Sequence, residues 1–152
     1  FFVLHRKFKM IKYQNILDKN MLNVFKDILI HIKEKGLTNN NHLYITFSTT
    51  HQNVELPNWL RQKYPEEMTI VIQYEYYDLE INKNNFSISL SFNDIKTNLK
   101  IDYNSIISFA DPSANFGLIL QKNKILKKVN KKTEKKKSKK NNVINFSNYK
   151  KN

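Results

Sequence analysis

The residues with most chemistry to offer are scattered along this chain. His5, His31, His42 and His51 are the four histidines. None stands four residues from another with a carboxylate between, the spacing a helical zinc site uses, so no metal is expected. Glu66 and Glu67 are adjacent ahead of a strand. Neighbouring carboxylates there point in different directions and suit turn or helix-end roles better than paired acid–base work. Two glycines in the whole chain leave no phosphate-cradling loop, no dinucleotide fingerprint and no nucleophile elbow. With no cysteine there is no thiol nucleophile, no disulfide and no thiolate-bound zinc. The chain is expected to be no enzyme and to need no cofactor.

What remains is recognition. In MTIVIQYEYYDLEI, Gln73 interrupts an apolar run and is followed by Tyr74, Tyr76 and Tyr77. An amide both donates and accepts, so it can fix a peptide backbone. The same pattern also fits a surface glutamine on a half-exposed strand. A second candidate is the terminal NNVINFSNYKK, where Val143, Ile144, Phe146 and Tyr149 reappear after a polar run and are followed by Lys150 and Lys151. Residues 121–140 contain eleven lysines and one acid. A solvated tail needs no apolar residues, and a cluster this short cannot fold alone, so it asks for a partner.

Charge is placed as unevenly as the motifs. Residues 1–121 carry 13 Lys/Arg against 12 Asp/Glu, while residues 122–152 carry 13 Lys against one Glu. The formal +13 is thus almost wholly a property of the tail. Lysine outnumbers arginine 24 to 2, with 22 asparagines and 17 isoleucines, which is also what an AT-rich coding sequence produces. No run approaches the roughly 20 apolar residues that span a bilayer. The opening FFVLHRKFKM is too short and too charged for a secretory signal. Met10 stands where the structured pattern begins, so residues 1–9 read as an upstream extension. A soluble, cytoplasmic protein is expected.

Positioning these candidates requires a scaffold. Leu17, Met21, Val24/Phe25, Ile28 and Ile32 recur at helical steps over Tyr13–Lys35, and Gly36 follows as a stop. Leu22, Leu29 and Ile30 widen the apolar arc enough for two partners, the chain's own core and a second subunit. A homodimer through Phe25, Ile28 and Ile32 is therefore expected. HLYITFST, MTIVIQYEYYDLEI, FSISLSFN, TNLKIDYNSI and FGLILQ read as strands, FSISLSFN with strict alternation, and NDIK as a hairpin turn. A short helical turn is expected at Asn58–Tyr64, between Pro57 and Pro65. One helix before five or so closely spaced strands gives an α+β, mostly β fold: a helix on a small bent sheet or barrel. The domain runs over residues 10–121, followed by a disordered lysine-rich linker at 122–142 and the cluster at 143–151.

HLYITFST, YPEEMTIVIQYEYYDLEI, FSISLSFN and ADPSANFGLIL together resemble the alphaproteobacterial form of stringent starvation protein B. The likeness covers roughly residues 11–121, and the YPEEMTIV–DPS–FGL combination is its most specific part. The sequence departs where the family has His-Gln-Phe-Trp and this chain has Tyr74-Glu75-Tyr76-Tyr77. The resemblance implies a helix packed on an Sm-like β barrel, dimeric through the helix. It also implies an adaptor that captures proteins carrying the ssrA tag and delivers them to the ClpXP protease. The tag would lie along Met68–Ile81, with Gln73 as its main polar contact and Tyr74, Tyr76 and Phe116 as walls. The tail is similar in register to the family's docking module for the ClpX N-terminal domain, which would assign that role to Val143, Ile144, Phe146, Tyr149, Lys150 and Lys151.

A small barrel with aromatic strands and a basic tail also describes many RNA-binding modules. Charge placement separates the two readings, because a nearly neutral domain leaves only a tail that attracts polyanions non-specifically. Removal of residues 122–152 is expected to abolish RNA binding, measured as affinity against salt concentration. Retention of tight, steeply salt-dependent binding by residues 1–121 would favour the RNA-binding reading.

Overall fold

Helical periodicity and helix coincide at the N-terminal side of the chain. In a computed structural model of the protein, which describes residues 9–38 and 40–120, α1 spans Tyr13–Lys35. All but the last residue of the expected extension at 1–9, the lysine-rich segment 122–142 and the cluster 143–151 lie outside the described residues. Phe25, Leu29 and Ile32 form the buried stripe of α1, spaced by four and three residues as one helix face requires. The helix stops at Gly36, whose N–H donates to the Ile32 carbonyl at 2.8 Å. With φ +73° and ψ −175°, Gly36 sits in a region that essentially only glycine occupies. Among the described residues no helix is long and apolar enough to cross a membrane.

Among the described residues seven strands follow: β1 (Leu43–Ser48), β2 (Glu67–Ile72), β3 (Tyr77–Ile81), β4 (Asn85–Phe92), β5 (Ile95–Asp102), β6 (Ile106–Asp111) and β7 (Phe116–Ile119). The helix α2 (Asn58–Lys63) fills the turn expected between the two prolines. All strand pairs are antiparallel and form two sheets, one ordered β2-β1-β6-β7 and the other β3-β4-β5. The α+β, mostly β class holds, but the sheets do not close into a barrel.

The reason lies in the stretch read as one strand, Met68–Ile81. It breaks at residues 73–76, where the chain bends out of the first sheet, and resumes as β3 in the second. Asp78 takes a positive φ of 51°, and the β3–β4 register slips between Tyr77 and Glu80. A bulge of this kind turns a strand sharply. The second departure from the sequence reading is β6, the inner partner of both β1 and β7. A short 3-10 turn at Tyr103–Ser105 separates it from β5, with the Asp102 carboxylate accepting from the Asn104 N–H at 2.7 Å. The NDIK hairpin behaves as expected: Asn93 and Asp94 both adopt positive φ, the geometry of a primed two-residue turn.

Phe25 sits at the centre of the core. Its ring meets Phe86 of β4 at 5.9 Å and Phe109 of β6 at 5.8 Å, both edge-to-face. Phe86 in turn stacks on Tyr103, whose hydroxyl donates to the Asn82 carbonyl at 2.9 Å. This placement corrects the expected dimer interface. Phe25 is 0% and Ile32 3% exposed within a single chain, so neither side chain is free for a second subunit. Ile28 is half-buried, while Ile16, Leu17, Val24 and Ile30 keep the exposed part of the arc. Truncation of Phe25 to Ala is expected to destabilise the fold by about 3–5 kcal/mol. Urea unfolding checks this, and a loss below about 1 kcal/mol would contradict the central role of the ring.

Candidate functional site

Between the second half of α1 and the first sheet the core opens to the surface in a groove of about 270 Å³. Ile28 and Ile32 come from the helix, Leu43 from β1, Phe109 from β6 and Phe116 from β7. Three strands and a helix therefore each supply an apolar side chain, and Phe116 packs edge-to-face on Phe109 at 6.1 Å. The polar members are His31, Thr38, Asn41 and Asp111, the last two joined by a hydrogen bond at the end of β6.

Local sequence explains how that end is built. Asp111 is the last residue of β6, and Pro112–Ala114 forms a 3-10 turn. The Asp111 carboxylate caps this turn, accepting from the Ser113 N–H at 3.1 Å and from the Ser113 hydroxyl. Its second oxygen accepts from Asn41 Nδ2 at 2.8 Å, and Asn41 in turn accepts from the Thr38 hydroxyl. Asn115 then takes the left-handed conformation, φ 50° and ψ 38°, and reverses the chain so that Phe116 pairs back opposite Asp111. Asn tolerates that conformation better than most residues. The DPSAN run is thus a turn whose chemistry sets Phe116 on the groove.

Burial pushes the Asp111 carboxyl up. Hydrogen bonds from the Ser113 side chain, Asn41 and the Ser113 and Ala114 backbone outweigh it and hold the pKa below its ordinary value of 3.8. A buried carboxylate kept ionised with its lone pairs occupied positions a loop. Among the described residues no three His, Asp or Glu side chains come together as a metal site would need.

The residues singled out from sequence distribute around this groove. Phe116 lines it. The Tyr76 hydroxyl stands 3.9 Å from where a Cβ on Gly36 would lie, and Gly36 is on the groove's rim. Gln73 is half-exposed in the bend after β2, and its amide makes no hydrogen bond to another described residue. Tyr74 is 68% exposed, with its ring 6.4 Å from that of His42. Neither Gln73 nor Tyr74 is among the residues that line the groove. The groove's floor, Leu43 and Phe109, and its anchor, Asn41 and Asp111, escaped sequence reasoning. The DPSAN turn was the available signal, since Asp-Pro-Ser is a strong capping sequence.

The family model for stringent starvation protein B matches residues 16–152, from the first turn of α1 through the end of the chain. The chain belongs to the stringent starvation protein B family. No curated protein matches the chain. Membership carries the family's general role as an adaptor of the ClpXP protease. In this member of the stringent starvation protein B family, a groove with a largely apolar lining agrees with holding a partner in place.

The Asp111 carboxylate also makes a prediction about pH. Because its folded pKa is depressed, it contributes stability above its unfolded value near 3.8. That contribution is lost as pH falls below this value through the folded pKa. Asp111→Asn is expected to cost about 1–3 kcal/mol at neutral pH. Its stability should also fall less than the unchanged chain's between about pH 5 and pH 2. Urea midpoints measured across that range check this; parallel curves for the two proteins would show that the carboxylate's charge plays no part.

Proposed function

We propose that this protein captures ssrA-tagged proteins and tethers them to ClpXP in the cytoplasm. The observation that carries this reading is the apolar groove between α1 and the first sheet, bordered by Tyr76 and neighboured by the amide of Gln73, which has no partner among the described residues. A tag is an extended, unfolded segment. Such a segment is held by side-chain pockets together with polar groups that satisfy its backbone. Phe116 and Tyr76 form walls of the site, Tyr74 a more exposed flank, and Gln73 supplies donor and acceptor to the peptide backbone.

Delivery uses the tail. Val143, Ile144 and Phe146 bury into the ClpX N-terminal domain, with Tyr149 alongside and Lys150 and Lys151 meeting an acidic rim. Burial of each apolar side chain contributes roughly 1.5–3 kcal/mol, reduced by the entropy of ordering the segment. The 21 residues 122–142 reach ~25 Å even as a flexible coil. Tethering at both ends raises the effective concentration to the order of mM. The family match that continues through residue 152 supports a functional role for this segment. A homodimer through α1, with Ile28 at the margin and Ile16, Leu17 and Val24 exposed for contact, would pair two such adaptors; sedimentation of a Val24→Asp variant tests it.

Replacement of Gln73 by Ala leaves peptide groups unpaired and is expected to weaken tag-peptide binding roughly five- to hundred-fold. A chain ending at Lys140 should bind tag peptide normally but no longer accelerate degradation of tagged substrate by ClpXP. Peptide titration and a degradation assay read the two halves separately. Unchanged peptide affinity in Gln73→Ala would remove that residue from the site, and undiminished delivery by the shortened chain would remove the tail from the mechanism.

A further inference from the structure

His42 enters β1 one residue ahead of Leu43, and Leu43 pairs with Ile72. Extending that register by one step sets His42 opposite Gln73. The imidazole is half-buried, and its Nδ1 is shut off from solvent with no hydrogen-bond partner among the described residues. A buried ring nitrogen without a partner lowers stability, and native structures leave few of them. The aromatic neighbour is Tyr74, edge-on with ring centroids 6.4 Å apart and planes at 72°. Tyr74 sits on the exposed bend between β2 and β3, and its side chain forms no hydrogen bond to a described residue. That ring stands beside the imidazole on an exposed bend outside both sheets, so it can move without breaking a strand ladder.

We propose that His42 is a second polar anchor for the bound peptide, accepting a backbone N–H at Nδ1 once Tyr74 moves off it. This rests on the reading of Gln73 as a peptide contact. An imidazole carrying its proton on Nε2 presents Nδ1 as an acceptor. Gln73 and His42, side by side across two strand ends, then give one extended peptide two adjacent polar contacts. The free protein carries the cost of an unpaired nitrogen, and the complex recovers it. His42 therefore sets affinity for an extended peptide, and its native-state contribution to stability is negative.

The test uses the full chain, a fluorescently labelled ssrA-tag peptide and three variants. His42→Phe keeps an aromatic ring but removes Nδ1, and it is expected to bind about tenfold more weakly with a melting temperature equal to or above that of the unchanged chain. His42→Asn places an amide oxygen near the Nδ1 position and should bind within about threefold of the unchanged chain. Gln73→Ala is the reference for the site as a whole. Unchanged affinity in His42→Phe, with a loss in Gln73→Ala, would overturn the role of His42 and leave the peptide-binding reading standing. Unchanged affinity in both would overturn both. Equal losses in His42→Phe and His42→Asn, each with a lowered melting temperature, would make His42 a packing residue and also overturn the proposal.

Discussion

The contact of one phenylalanine with two sheets is the constraint on which this fold depends. The strand ladders join β2-β1-β6-β7 and, separately, β3-β4-β5, with an isolated bridge from Glu55 to Lys100 at the margin. Backbone hydrogen bonding therefore does little to fix one sheet against the other. Phe25 does it through its ring, which touches Phe86 on one side and Phe109 on the other. Because edge-to-face pairs have preferred geometry and large buried area, the helix works as a keystone. The ion pair of Lys33 with Glu80 of β3, exposed at 3.0 Å, adds little beside it.

The groove inherits its shape from this arrangement. Phe109 is both a partner of Phe25 and part of the groove, and Phe116 rests on Phe109. One aromatic series thus runs from Tyr103 through Phe86, Phe25 and Phe109 to the surface at Phe116. The two turns that enter β6 and β7 share a device. Asp102 caps Tyr103–Ser105 and Asp111 caps Pro112–Ala114, each by accepting the backbone N–H two residues on. Short aspartate-capped turns let the chain leave one strand and start the next after three or four residues, keeping the groove's strands close.

Much of this scaffold was legible in the sequence where local signals and burial agree. The helix from Tyr13 to Lys35 could be read with its bounds because its apolar steps and Gly36 point the same way. The NDIK turn and the alternation Phe86, Ile88, Leu90 were equally plain. The break at 73–76 was not, because aromatic and apolar residues favour strand on both sides and the bend is imposed by two sheets competing for one segment. β6 hid behind the 3-10 turn, whose cap is a side-chain hydrogen bond that composition does not reveal. Phe25 and Ile32 were assigned to a partner because periodicity marks an apolar face without saying what covers it. Of the site, Phe116 and Tyr76 could be picked out as aromatic residues, whereas Asn41 and Asp111 meet although they stand 70 positions apart in the chain.

Gly36 has a consequence for how this surface can change. Its backbone lies where side chains are strained, and an added Cβ would stand 3.9 Å from the Tyr76 hydroxyl. Sequence variation at the groove's helix-side rim is thus closed at position 36. Ile28 and Phe116 line the same groove while remaining partly open to solvent. A library built to retune ligand preference has its freedom at those two positions. Diversity placed at Gly36 would be spent on variants that reshape the end of α1 before they reshape the groove.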